Sequence, residues 1–130
     1  MMKKIESYPH KVKSRAMKIR DLIYNTAELE GIRIVEETLK WGEPSFKATN
    51  GTPIRFDWKE NTPDLFYILF NCQTLMIETC KELYDRNLVF EGNRAIVLSL
   101  NEDTPTQILQ HCLSLALRYH KIKKLPLLGA

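Results

Sequence analysis

Residues 9–29 run without an internal glycine or proline and carry Val12, Ala16, Ile19 and Ile23 on one face at 100° per residue. That segment is too long for an ordinary strand and apolar on only one side. It predicts an amphipathic helix from Pro9 or His10 to Leu29, stopped by Gly31, that must lay one face on another layer. From Ile32 onward the apolar period changes from 3.6 to 2. The second layer is therefore expected to be a sheet.

The segment 32–39 mixes β-branched residues with charges and predicts a half-buried strand, and Trp41-Gly42-Glu43-Pro44 turns the chain after it. Residues 45–49 and 52–58 flank Asn50-Gly51, the dipeptide best suited to a two-residue type I′ hairpin. Ile54, Phe56 and Trp58 fall on one side of the second of these strands, Arg55 and Asp57 on the other. Leu65 to Phe70 is an unbroken apolar run, as a strand covered on both faces requires. A shorter helix is predicted over about Gln73–Tyr84 from Met76, Thr79, Cys80 and Leu83, and a second hairpin over Leu88–Phe90 and Ala95–Leu98.

Thr104 before Pro105 marks the start of a last helix, running to about Lys121. Its apolar arc covers more than half the wheel. The side carrying Leu113 and Leu117 therefore needs another helix, the C-terminal tail or a second subunit, so a homodimer through this helix is one expectation. The order α-β-β-β-β-α-β-β-α predicts one α+β domain over residues 1–130, a mostly antiparallel sheet of five to six strands backed by N-terminal, middle and C-terminal helices.

Charge is uneven. Residues 1–20 carry +6 and residues 118–124 carry +4, whereas residues 21–117 carry −7. An anion or nucleic-acid patch would form if the two basic ends met, but the lysines and arginines of the first helix border its apolar stripe and read equally as a solvated rim, so nucleic acid is not the expected partner. No apolar run approaches the roughly 20 residues that span a bilayer, and Met1-Met2-Lys3-Lys4 leads into Glu6 and Ser7, so no membrane partner is expected. Cys72, Cys80 and Cys112 form no CxxC and cannot all pair, which favours reduced, buried thiols and a cytoplasmic setting.

No nucleophile elbow, phosphate loop or HExxH is present, and enzymatic activity is the lesser expectation. Glu28, Glu30, Glu36 and Glu37 offer hard oxygen ligands within ten residues, a weak metal signal that ordinary solubility also explains. The most suggestive group is aromatic. Trp41, Phe46, Phe56, Trp58 and Tyr67 are interleaved with Glu43, Ser45, Arg55 and Asp57. A concave apolar surface with a few polar groups is the usual form of a small-molecule site, and the candidate ligand-binding residues are Trp41, Glu43, Ser45, Arg55 and Trp58. Ordinary sheet packing accounts for the same aromatics.

At Trp41-Gly42-Glu43-Pro44-Ser45-Phe46, Gly51-Thr52-Pro53-Ile54-Arg55-Phe56, Phe90-Glu91-Gly92-Asn93-Arg94-Ala95-Ile96 and the ending Leu125-Pro126-Leu127-Leu128-Gly129-Ala130, nearly the whole chain resembles the bacterial YdhG-like domain family. The resemblance implies a small intracellular α+β domain, most members of which have no known function. Some members are described as frataxin-like iron chaperones. That likeness would place weak iron binding on acidic residues of the first helix and first strand, here Asp21, Glu28, Glu30, Glu36 and Glu37. The expectations are thus a non-enzymatic domain binding an unidentified small molecule, then weak iron binding at Glu28, Glu30 and Glu36, then a nucleic-acid or acidic partner at the basic ends.

Overall fold

The computed structural model describes residues 1–130. A short helix α1 (Met2–Glu6) precedes the long helix α2 (His10–Leu29), and four strands follow: β1 (Ile34–Lys40), β2 (Glu43–Ala48), β3 (Ile54–Trp58) and β4 (Leu65–Leu69). Helix α3 (Met76–Tyr84), strands β5 (Val89–Glu91) and β6 (Ala95–Ser99), and helices α4 (Thr106–Leu117) and α5 (Tyr119–Ile122) complete the order, with a last 3-10 turn at Pro126–Gly129. The strands form one six-stranded antiparallel sheet in the order β1-β2-β3-β4-β6-β5. The expected α+β architecture is the one observed. Sequence reading missed α1, which tucks Ile5 fully into the core.

Alternation along the strands divides the sheet into two faces. Phe46, Ile54, Phe56, Phe66, Ile68, Ile96 and Leu98 share one core with Val12, Ala16, Ile19 and Ile23 of α2 and with α4. Phe46, Phe56 and Phe66 stack across three neighbouring strands, with ring centroids 5.7 and 5.3 Å apart. On the other face Leu65, Tyr67, Leu69, Ala95 and Val97 form a separate small cluster that includes no helical residue. Tyr67 is buried there with its hydroxyl bonded to Thr62 (3.0 Å) and Lys59 laid over its ring (4.6 Å). We call this the open face.

Helix α4 lies in the middle of the helical layer, in contact with α2 and α3. All of Cys112–Leu117 is buried, and Leu128 of the tail joins the same core. The uncovered side that suggested a dimer through the last helix is thus closed within the chain. The last helix is also shorter than expected. It starts at Thr106 with Pro105 as its cap and no side-chain cap bond, so Thr104 does not cap it. It breaks at Arg118, where the 50–52 segment takes over its end: Thr52 N–H donates to the Ala116 carbonyl (2.9 Å) and His120 N–H to the Asn50 carbonyl (2.8 Å).

That docking overturns the predicted type I′ turn at Asn50-Gly51. Neither residue has a positive φ, and the β2–β3 ladder ends at Phe46↔Ile54, well short of a two-residue loop. Gly51 is a glycine for a different reason. A Cβ there would stand 2.7 Å from the Leu117 carbonyl oxygen and 2.8 Å from that of Ala116. The tight turn lies instead at Trp41-Gly42, where both residues have positive φ (53° and 76°) and Lys40 pairs with Glu43 across two residues. Pro44, read as part of a turn, sits inside β2; it offers no N–H, and the β2–β3 ladder begins only at Ser45↔Arg55.

Candidate functional site

At the β1–β2 turn the open face forms a hollow of about 280 Å³ lined by Lys40, Trp41, Arg55, Asn71, Cys72 and Arg94 among others. Arg55 leaves β3 on this face, between Ser45 of β2 and Leu69 of β4 in register, and is 4% exposed. Ser45 is buried beside it, and so small a side chain leaves room for the guanidinium. One Arg55 nitrogen donates to Glu43 Oε1 at 3.2 Å. A guanidinium carries five N–H donors in a planar fork, and this is its single side-chain partner; no Arg55 nitrogen is sealed from solvent without a partner. Arg55 lines the hollow with donors left over from the Glu43 bond.

Burial raises the Glu43 carboxyl above the usual carboxylate range, Arg55 opposes that shift, and Asp57 adds to it. Asp57 accepts the Tyr8 hydroxyl at 2.9 Å, and burial followed by Asp57 holds that phenol strongly in its neutral form.

Trp41 stands over this group. Its ring is 81% exposed, its centroid lies 5.4 Å from the Arg55 guanidinium carbon and 6.0 Å from Lys40 Nζ. A bulky residue in the left-handed region costs about 1–2 kcal/mol, because Cβ crowds the following carbonyl. The turn accepts that cost at a position whose side chain contributes little to the core.

The far wall is fixed by the main chain. Phe70 N–H donates to the Arg94 carbonyl (2.7 Å), and Asn71 Oδ1 accepts from Gln73 N–H (2.9 Å) while the Asn71 carbonyl accepts from Thr74 Oγ1 (2.7 Å). Of the five residues expected to bind a ligand, the structure thus brings Trp41, Glu43, Ser45 and Arg55 together. Trp58 is separated from them. It points to the helical side with Phe56, packs edge-on against Tyr8 (6.4 Å) and donates from Nε1 to the Pro63 carbonyl (2.9 Å). Period-two alternation already put Trp58 and Arg55 on opposite faces. Arg94, Asn71 and Lys40 were missed, because the β3–β4 pairing brings Asn71, and the β4–β6 pairing Arg94, within reach.

The carboxylates proposed for iron do not converge. Glu30, just past α2, accepts from Ser114 Oγ (2.5 Å) and faces Arg118 (4.0 Å). Glu36 lies on the open face of β1 opposite Lys47 (3.9 Å), and Glu28 is exposed on α2. Glu37 points the other way, to Arg20 (2.8 Å) and Tyr24 (3.0 Å). Nowhere do three His, Cys, Asp or Glu side chains gather as a metal site. Glu28, Glu30 and Glu36 stand apart because a turn and a β-bulge part helix from strand, and alternation splits Glu36 from Glu37.

The two basic ends do not meet either. Lys11 bonds to Asn101 Oδ1 (2.5 Å) and Arg15 to the Glu102 carbonyl (2.6 Å), ahead of α4, whereas Glu30 meets Ser114 near its end. Helices α2 and α4 therefore run parallel, and residues 118–124 lie at the opposite end of the layer from Lys11 and Arg15.

Cys80 and Cys112 are buried, as expected, and Cys72 is exposed at the hollow. Interaction with the Cys112 thiol, followed by burial, pushes the Cys80 thiol up, so it stays protonated at neutral pH. His111 Nδ1 is bonded to the Tyr84 hydroxyl, a structural contact between α4 and α3. No helix is long and apolar enough to cross a membrane. No family model, curated protein or solved structure matches the chain.

Proposed function

We propose that this domain binds, without chemical turnover, a small molecule that joins a flat ring to a negatively charged group such as a carboxylate or phosphate. Arg55 carries the reading: a guanidinium almost withdrawn from water keeps one carboxylate partner and spare donors toward a hollow. Buried charges are ordinarily saturated with partners, because desolvation is costly. Arg55, with Arg94 across the hollow, suits the anionic group, and the exposed Trp41 ring suits the flat part by stacking. The hollow's lining holds no carboxylate or histidine, and Glu43 beside it is engaged by Arg55. The YdhG-like likeness belongs to the same proposal, since one of its segments builds this turn. A cytoplasmic setting is inferred from the three unpaired cysteines.

The test is tryptophan fluorescence in a Trp58→Phe background, so that Trp41 supplies the signal, titrated with aromatic carboxylates and nucleoside monophosphates. Saturable quenching is expected, weakened about tenfold or more by Arg94→Met, a loss typical of a charge-assisted contact. Absence of saturable quenching across both classes, or quenching indifferent to Arg94→Met, sinks the proposal.

A further inference from the structure

We propose that β1 pairs antiparallel with β1 of a second copy of this chain, so that two sheets join edge to edge. Strand β1 ends the sheet, with β2 on one side and nothing on the other. It is seven residues long, and every residue after Ile34 is exposed. The opposite edge, β5, has only three residues. Short edges protect themselves; a long bare one is a template for another strand.

The turn at Trp41-Gly42 fixes which main-chain groups are free. A two-residue loop closes on a hydrogen-bonded pair, here Lys40 and Glu43. Lys40 and Thr38 therefore direct their N–H and C=O groups to β2, and Glu37 and Leu39 direct theirs outward. Only registers that bring outward-facing residues opposite one another can form. With Thr38 on the two-fold axis, Glu37 of each copy exchanges main-chain bonds with Leu39 of the other.

In that register Glu36 stands opposite Lys40 of the second copy, and the symmetry repeats the pair. Glu36, Thr38 and Lys40 share the open face, so these opposite charges meet side by side. A register centred on Glu37 instead sets two identical carboxylates against each other. The strand also exposes two apolar side chains, Val35 (51%) and Leu39 (43%). Regular pairing runs from Glu36 to Lys40, the β-bulge at Val35 marking its limit, so the Thr38-centred register uses the whole regular stretch of the edge. Charge complementarity names a second copy as the occupant.

Sedimentation equilibrium of the full chain tests this. The expected mass is twice 15.2 kDa at high concentration. Glu36→Lys and Lys40→Glu should each weaken the dimer by about tenfold or more, since each turns both pairs repulsive, and the double exchange should restore it. In a Cys72→Ser background, Thr38→Cys should oxidise to a covalent dimer, because facing residues at a non-bonded antiparallel position lie about 4.5 Å apart at Cα, within disulfide reach. Glu37→Cys should not. A single-chain mass up to about 1 mM overturns the proposal. So does a dimer that ignores both reversals and fails to cross-link at Thr38. Neither outcome depends on ligand binding at the hollow.

Discussion

Gly51→Ala isolates the contact that ends α4. Gly51 has an ordinary φ, so alanine meets no backbone penalty and the cost is steric. The new Cβ would lie 2.7 and 2.8 Å from two carbonyl oxygens, and moving out to ordinary contact at 3.4 Å means a shift of about 0.7 Å. The oxygens belong to a helix locked in the core and cannot swing away as a side chain would. The shift stretches the Thr52–Ala116 and His120–Asn50 bonds from 2.9 and 2.8 Å to about 3.5 Å, the limit of a hydrogen bond. Overpacking costs about 1–3 kcal/mol and each weakened bond about 1 kcal/mol, against roughly 0.4–1 kcal/mol returned by a stiffer unfolded chain. The net is a loss of about 3 kcal/mol. Urea unfolding followed by circular dichroism should show the midpoint fall by about 1–2 M. Gly42→Ala is the control: nothing lies within 4 Å of its Cβ, but its φ is +76°, so it should lose only about 1 kcal/mol. A Gly51→Ala loss under about 0.5 kcal/mol, or one smaller than that of Gly42→Ala, refutes the reasoning.

Phe56→Ala, in the middle of the phenylalanine stack and fully buried, should cost about 3–5 kcal/mol and lower the thermal midpoint by about 10–20 °C in a calorimeter; a drop of a degree or two would show that the cavity collapses freely. Sulfate should bind at the hollow more tightly in mild acid, because as pH falls through the raised Glu43 pKa the neutral carboxyl releases Arg55; Glu43→Gln should flatten the profile, and a titration unchanged from neutral to about pH 5 speaks against the competition. The same shift has a sign for stability: Glu43's contribution is fully present below the ordinary carboxyl value and declines as pH rises through the raised one, a trend that pH-resolved urea melts of wild type and Glu43→Gln should separate. Trp41→Asn should leave stability within about 1 kcal/mol, since relief of left-handed strain offsets the cation–π contacts of a largely exposed ring, and should abolish ring stacking, so a large loss in thermal melts would reassign Trp41 to the scaffold.

The layers of the fold were legible because they rest on periodicity, which a single chain displays. Val12, Ala16, Ile19 and Ile23 marked the buried face of α2, whose boundaries differ little from those expected, and the run Leu65–Phe70 marked a strand apolar on both faces. Turn chemistry misled where tertiary contact decided. Asn50-Gly51 has the composition of a type I′ turn, but the carbonyls of Ala116 and Leu117, more than sixty positions away, claim that glycine for close approach. The same distance effect concealed what covers Leu113 and Leu117: a helical wheel shows that an arc needs cover and is silent on which element arrives.

The site was half legible for a related reason. Arg55, Glu43 and Ser45 are separated from the core residues by alternation alone, and alternation is local. Asn71 and Arg94 reach the hollow only through the β3–β4 and β4–β6 pairings, which one strand's residues do not reveal. Trp41-Gly42 carried a sharper signal than its proline neighbour. Two residues, the second a glycine, lie between Lys40 and Glu43, and a hairpin that short puts its first position, and in this turn both, in the left-handed region. Asparagine or glycine would satisfy the first position at little cost, so a tryptophan there is a local choice against stability. Its ring returns little to the core, being four-fifths exposed, and what it does meet is the one buried guanidinium of the open face. On the proposed reading, a strained residue whose side chain serves neither packing nor the turn is there for the ring that arrives from solvent and stacks on it.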